Sequence, residues 1–174
     1  DVLVIGAGPS GTVAASILKN SGLDVCIVEK QVFPRFVIGE SLLPRCMDNL
    51  ERAGLLESVK EGDFQRKFGA KFIRDNVICD FDFSNQYSQG WSWTWQVKRA
   101  DFDHLLAKET EKKGVPIDYD AAVTAVKFHS DGSSETKVEK GNGQAYTVKA
   151  KYIVDSSGYG RVLPRLLDLD LPSN

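Results

Sequence analysis

The chain has 174 residues, with 22 Lys and Arg against 24 Asp and Glu, a formal net charge of −2 and a sequence pI of about 5.7. This length makes one domain, or one with a small appendage, large enough to bury a real core. The balanced charge shows no basic stripe and excludes nucleic acid as an expected partner, and no apolar run approaches the roughly 18 residues of a transmembrane segment.

Residues 2–5 form an apolar run, short enough for one buried strand. Gly6, Gly8 and Gly11 follow at G-x-G-x-x-G spacing, then an apolar helical pattern through Val13, Ile17 and Leu18 that Gly22 ends. A second β-branched run, 25–28, finishes on Glu29. Gly6 permits a tight turn off the strand, Gly8 lets the backbone approach a pyrophosphate, and Gly11 lets helix and strand pack. The helix N-terminus, with its amides and positive dipole, faces the phosphates. Glu29 is placed to accept hydrogen bonds from a ribose diol and would repel a 2′-phosphate. NAD and FAD both satisfy this pattern.

Residues 31–40, QVFPRFVIGE, read as a loop carrying Arg35. Ser41 reads as the N-cap of a helix through Leu50 and Ala53, stopped by Gly54, with further helical turns over 55–60. Residues 64–83 predict short antiparallel strands around an Asp75-Asn76 turn. The period-two run 90–97, GWSWTWQV, predicts a strand with Trp91, Trp93 and Trp95 on one face, either packing a sheet or walling an aromatic or flavin pocket. A helix follows over 99–113 with Phe102, Leu105, Leu106 and Ala107 inward, ended by Gly114 and Pro116, then a strand over 115–119. Runs 121–129, 136–140 and 145–149, separated by Asp131-Gly132 and Gly141-Asn142-Gly143, make a three-stranded meander. Residues 152–154 are a buried strand running into the turn 155–158.

Cys26, Cys46 and Cys79 are odd in number and widely spaced. They make no metal pattern with His104 or His129, which reads as a reduced, cytoplasmic setting. A strand at residue 1 leaves no signal peptide, and the chain stops at 171–174 without a capping element. Both ends read as cut: residues 1–174 are expected to be one domain of a longer protein.

Four segments, GAGPSG at 6–11 ending with Glu29, IGESLLP at 38–44, WQVKRADFDHLL at 95–106 and VDSSGYGR at 154–161, resemble the FAD-dependent aromatic hydroxylase superfamily. Within it the chain is most similar to the flavin-dependent halogenase and geranylgeranyl-reductase-like branch. The resemblance implies an α/β, Rossmann-like FAD-binding domain of the glutathione-reductase type, with a parallel sheet, a β-meander crossover and a small antiparallel β insert.

It also implies that Gly6, Gly8, Pro9, Ser10 and Gly11 hold the FAD pyrophosphate, and that Glu29, with Lys30 beside it, binds the adenosine ribose. Arg99 would reach the phosphate and ribityl region. Val123 and Thr124 would meet the adenine through backbone groups, and Asp155 to Gly158 would turn near the cofactor. Arg35, Glu40 and Ser41 would face the flavin. Lys67, in FQRKFGAKF, matches a lysine thought to hydrogen-bond, or be chlorinated by, hypohalous acid released from a flavin hydroperoxide. Its plain alternative is a solvent-face strand lysine, and Lys71 is the fallback. The implied enzyme is a halogenase or monooxygenase acting through a flavin C4a-hydroperoxide, with a small aromatic or isoprenoid-like substrate and electrons from a separate flavin reductase or NAD(P)H. The alternatives are a geranylgeranyl-reductase-like alkene saturase and a non-catalytic FAD- or NAD-binding module. WSWTWQV lacks the Ile-Pro that ends the W-x-W-x-I-P element of tryptophan halogenases, so that role is not carried over.

Overall fold

The computed structural model describes residues 1–169; the expectation for residues 171–174 lies outside them. The all-apolar runs Val2–Ile5 (β1) and Val25–Val28 (β2) are buried on both faces, as parallel strands between two layers must be. They pair in parallel and lie between Tyr152–Asp155 (β11) and Ile117–Asp118 (β7), giving the order β11-β1-β2-β7. Alternation divides the core. Val2, Val4, Val25 and Ile27 face Ala7, Ala15 and Val115 on the helical side, while Leu3, Ile5 and Val28 face Ala121, Val138 and Ala150 on the other.

The helical layer is Pro9–Asn20 (α1) against Arg99–Lys112 (α4), joined through the buried pair Ser16 Oγ and Thr110 Oγ1 at 3.1 Å. The opposite layer is the meander of Ala121–Phe128 (β8), Ser134–Lys140 (β9) and Ala145–Ala150 (β10), which supplies the crossover into β11. Arg45–Ala53 (α2) and Leu56–Glu61 (α3) pack beneath α4. The insert comprises Gln65–Lys67 (β3), paired with Thr94–Gln96 (β6), and the hairpin Gly69–Arg74 (β4) with Val77–Asp82 (β5). Asp75 and Asn76 turn that hairpin at φ 49° and 62°, the left-handed pair that a two-residue turn requires. A short helix, Val162–Leu166 (α5), follows β11. The expected fold class is therefore met.

Three local expectations are corrected. Ser41 does not cap α2: it forms a β-bridge with Gln96, while Leu42 N–H donates to Trp95 O and Val97 N–H to Glu40 O. Strand pairing on the free edge of β6 takes residues 40–42, and the helix starts after Pro44, which has no N–H to lose there. The strand over 90–97 shrinks to Thr94–Gln96. Its tryptophans still stack edge to face, Trp91 on Trp93 at 5.7 Å and Trp93 on Trp95 at 5.0 Å, but against the α2–α3–α4 core. Packing is their main role. The strand over 115–119 pairs only at Ile117–Asp118.

Asp118, at the end of β7, accepts from Lys140 Nζ and the Tyr146 hydroxyl. Burial opposes its charge, but these two bonds and the Lys140 charge outweigh burial and hold the carboxyl below its ordinary value. A carboxyl held low in the folded state stabilises above its unfolded pKa of about 3.9, and that stabilisation is lost as pH falls through the folded value. Asp118→Asn is expected to lower the urea midpoint at pH 7, with the gap to wild type narrowing as pH falls below about 4.

Candidate functional site: a cofactor cradle at the carboxyl edge of the sheet

Three of the four parallel strands deliver a polar turn to one edge of the sheet: Gly6 after β1, Glu29 closing β2, Asp155 closing β11. Because β1 has β2 on one side and β11 on the other, the crevice opens at a reversal of strand order, where α/β sheets bind ligands.

The three glycines have separable reasons. Gly6 turns at φ +97°, and a Cβ there would stand 2.7 Å from Ser156 O in the turn after β11. At Gly11 a Cβ would overlap the Gly6 carbonyl oxygen. The fold itself requires both. Gly8 is different: its φ is −69°, open to any residue, and the nearest atom to an added Cβ is Arg35 Nη2 at 3.5 Å. The chain's own packing does not require glycine there. It leaves a gap in front of the α1 N-terminus, where Pro9 opens the helix, Ser10 is exposed and no side chain caps the amides. Free amides beside open space are a phosphate cradle.

Glu29 is buried, 6 % exposed, with Oε2 accepting from Ala7 N–H and Oε1 from Gln31 N–H, both at 2.8 Å. Each oxygen keeps a second lone pair for a ribose hydroxyl. Lys30 beside it points to solvent as an exposed residue. Arg35, expected to face the flavin, lies beside Gly8 and Glu29. Its guanidinium lies by Gly8, 3.9 Å from Glu29 Oε2 and 3.3 Å from Asp103 Oδ2, over the Phe33 ring. The loop folds back because Phe33 packs on Tyr119 (5.5 Å) and His104. Burial, with the Glu111 and Glu29 charges, pushes Tyr119 up to about 12, so its hydroxyl remains protonated at any working pH. Arg35 Nε is buried without a hydrogen-bond partner.

Arg99 grips Asp103 through Nε (2.7 Å) and Nη2 (2.9 Å), and reaches Gly39 O through Nη1 (3.1 Å). It thus joins the cradle to the Gly39-Glu40-Ser41 turn. Ser41 Oγ accepts from Lys67 Nζ, which also donates to Leu42 O at 3.2 Å. The structure therefore brings Lys67 and Ser41 together, whereas the fallback Lys71 spends its charge on Asp80 at 3.0 Å across the exposed hairpin. The Glu40 side chain is exposed.

In β8, where the adenine was expected, a register shift between Val123 and Ala125 bulges Thr124 out of the β8–β9 ladder. Asp155 is spent within the chain, accepting from Ser157 N–H and Leu163 N–H; Gly158, at φ 57°, begins the next turn. Its contribution is to shape the turn that lies against Gly6.

Asp103, Phe33 and Tyr119 were not expected in the site. Asp103 had a visible signal: it sits between Phe102 and Leu106 on the inner stripe of α4, where a charge needs a reason. A separate cavity of about 460 Å³, its walls including Leu43, Phe72, Phe81 and Trp91 with the polar Asp48 and Gln86, meets Lys67 through Phe83. Phe83 lies under Lys67 Nζ, 5.0 Å from ring centroid to nitrogen. Among the described residues no His, Cys, Asp and Glu cluster could hold a metal ion, the three cysteines are free, and no helix is long and apolar enough to cross a membrane.

The gap at Gly8, the uncapped α1 amides and the acidic terminus of β2 define a dinucleotide-binding α/β domain. A family model described as "FAD binding domain" matches residues 1–172, and the chain belongs to that family; its cofactor is FAD. A flavoprotein/dehydrogenase from Cytophaga hutchinsonii is 57 % identical, with a TM-score of 0.94 over all of this chain and 43 % of that one. CmlS, a flavin-dependent halogenase, is 34 % identical with a TM-score of 0.87, covering 96 % of this chain and 30 % of that one. A tryptophan 2-halogenase from Chondromyces crocatus is 32 % identical over 90 % of this chain and 30 % of its own length. The chain spans about a third of the length of the curated relatives it matches.

Proposed function

We propose that the chain is the cofactor-binding portion of a cytoplasmic flavoprotein oxidoreductase of the halogenase or monooxygenase type. Bound FAD supplies the redox chemistry, and the protein supplies orientation, exclusion of water and proton placement. The amides following Gly8 hold the pyrophosphate, Glu29 the ribose and the Thr124 bulge the adenine. Arg99 and Arg35 face the phosphates, and the Gly39–Ser41 turn, with Glu40, faces the flavin.

The observation that carries this reading is the half-buried Lys67 ammonium, hydrogen-bonded to Ser41 and Leu42 at the end of that turn. A lysine held there is a directed donor toward hypohalous acid, and the aromatic cavity beside it suits an aromatic or isoprenoid-like small molecule. Electrons would come from a separate flavin reductase or NAD(P)H. In the full-length protein, Lys67→Ala is expected to abolish halogenation while the FAD absorbance and the unfolding midpoint stay unchanged. Undiminished halogenated product would overturn the assignment.

A second reading is hydride transfer without halide, which the flavoprotein/dehydrogenase relative favours. Halide-dependent oxygen consumption supports the first reading; anaerobic substrate reduction supports the second.

A further inference from the structure

We infer that Asp103 is the positioning residue of the cofactor cradle, its one carboxylate holding the Arg35 and Arg99 guanidiniums toward the FAD diphosphate. The inference rests on the FAD-binding reading above.

Asp103 is fully buried, at 0 % exposure, on the inner face of α4. Its Oδ1 accepts from Arg99 Nε, and its Oδ2 meets both Arg99 Nη2 at 2.9 Å and Arg35 Nη1 at 3.3 Å. The Arg99 pairing is the bidentate fork that fixes a guanidinium in direction as well as place. A buried carboxylate is costly unless paired, so the arrangement has a reason beyond packing. Here one hydrogen-bonded carboxylate serves two guanidiniums. Glu29 approaches Arg35 only to 3.9 Å and already accepts two backbone amides. Arg35 Nε has no acceptor, and Arg35 Nη2 hangs over the gap that Gly8 leaves. The set is short of acceptors at the place where the fold makes room for a diphosphate. Asp103 never reaches the ligand itself; it acts by aiming the two cations that do.

The test is fluorescence titration of the full-length apoprotein with FAD. Asp103→Asn keeps the volume and removes the charge, and is expected to raise Kd by about 10–100-fold, as loss of a ligand-orienting partner does. Arg99→Gln should weaken binding similarly and flatten the dependence of Kd on salt. If Asp103 acts through its two arginines, adding Asp103→Asn to the Arg35→Gln/Arg99→Gln protein shifts Kd by no more than about twofold. A merely structural Asp103 would instead multiply the two losses, and that result would overturn the proposal. So would a folded Asp103→Asn protein with wild-type affinity and salt dependence. Should Asp103→Asn not fold, Asp103→Glu keeps the charge but displaces both guanidiniums by one methylene; FAD affinity within about twofold of wild type would then overturn the proposal. Failure of the wild-type protein to bind FAD would sink the cofactor reading, and this inference with it.

Discussion

Gly11→Ala is expected to lose about 3 kcal/mol or more of folding stability, whereas Gly8→Ala, three residues away, leaves the fold intact and removes FAD. The Gly11 Cβ would overlap the Gly6 carbonyl oxygen, which is backbone, and Gly6 is itself pinned by Ser156 O. Neither β1 nor α1 can retreat without opening the contacts around Val4, Ala7 and Ala15. A clash between two backbones in a packed core costs more than ~3 kcal/mol, a large share of the 5–15 kcal/mol that holds a domain together. At Gly8 the extended backbone accepts alanine and only the Arg35 guanidinium is near, so the stability cost stays below about 1 kcal/mol, that of a poorer helix cap. The methyl group fills the gap in front of the α1 amides instead. Urea unfolding midpoints and FAD titration separate the two effects. A Gly8→Ala protein that retains wild-type FAD affinity would show that the diphosphate does not approach there.

The same glycines show how much was legible in sequence. Their spacing, the flanking strands and Glu29 were readable because each is a local demand: a turn, a helix start, a buried strand. The meander and the α4 boundaries followed from Gly turns and a 3.6-residue stripe for the same reason. What failed depended on residues distant in sequence. Ser41 is a plausible cap by its own chemistry, but the open edge of β6, more than fifty residues on, claims its segment. The place of Arg35 likewise depends on Phe33 stacking on Tyr119, which turns the loop back over Gly8. Asp103 was visible as a partner for Arg99, but its burial and its second guanidinium are tertiary facts. Lys67 ranks above Lys71 by resemblance alone; the pairing of β3 with β6 brings Lys67 to Ser41, while Lys71 pairs with Asp80.

Phe102→Ala is expected to cost about 3–5 kcal/mol, the range for removing a buried aromatic ring from a core that cannot collapse around the void. Phe102 is among the largest fully buried side chains and meets Phe64 edge to face at 5.8 Å, in the cluster with Met47, Leu50, Leu55 and Trp95. It also lies between Arg99 and Asp103 on α4, while Phe64 precedes the strand that carries Lys67. The ring therefore sits behind both the cofactor-facing cations and the proposed catalytic lysine without touching either. This position separates stability from chemistry. Added FAD stabilises whatever binds it by RT ln(1 + [FAD]/Kd), so saturating FAD should raise the Phe102→Ala midpoint by nearly the wild-type increment if the cradle is intact in its folded fraction. Urea midpoints measured with and without FAD check both parts. A small loss in the absence of FAD would mean that the α2–α3–α4 core relaxes into the void, and a lost FAD increment would mean that Phe102 shapes the cradle directly.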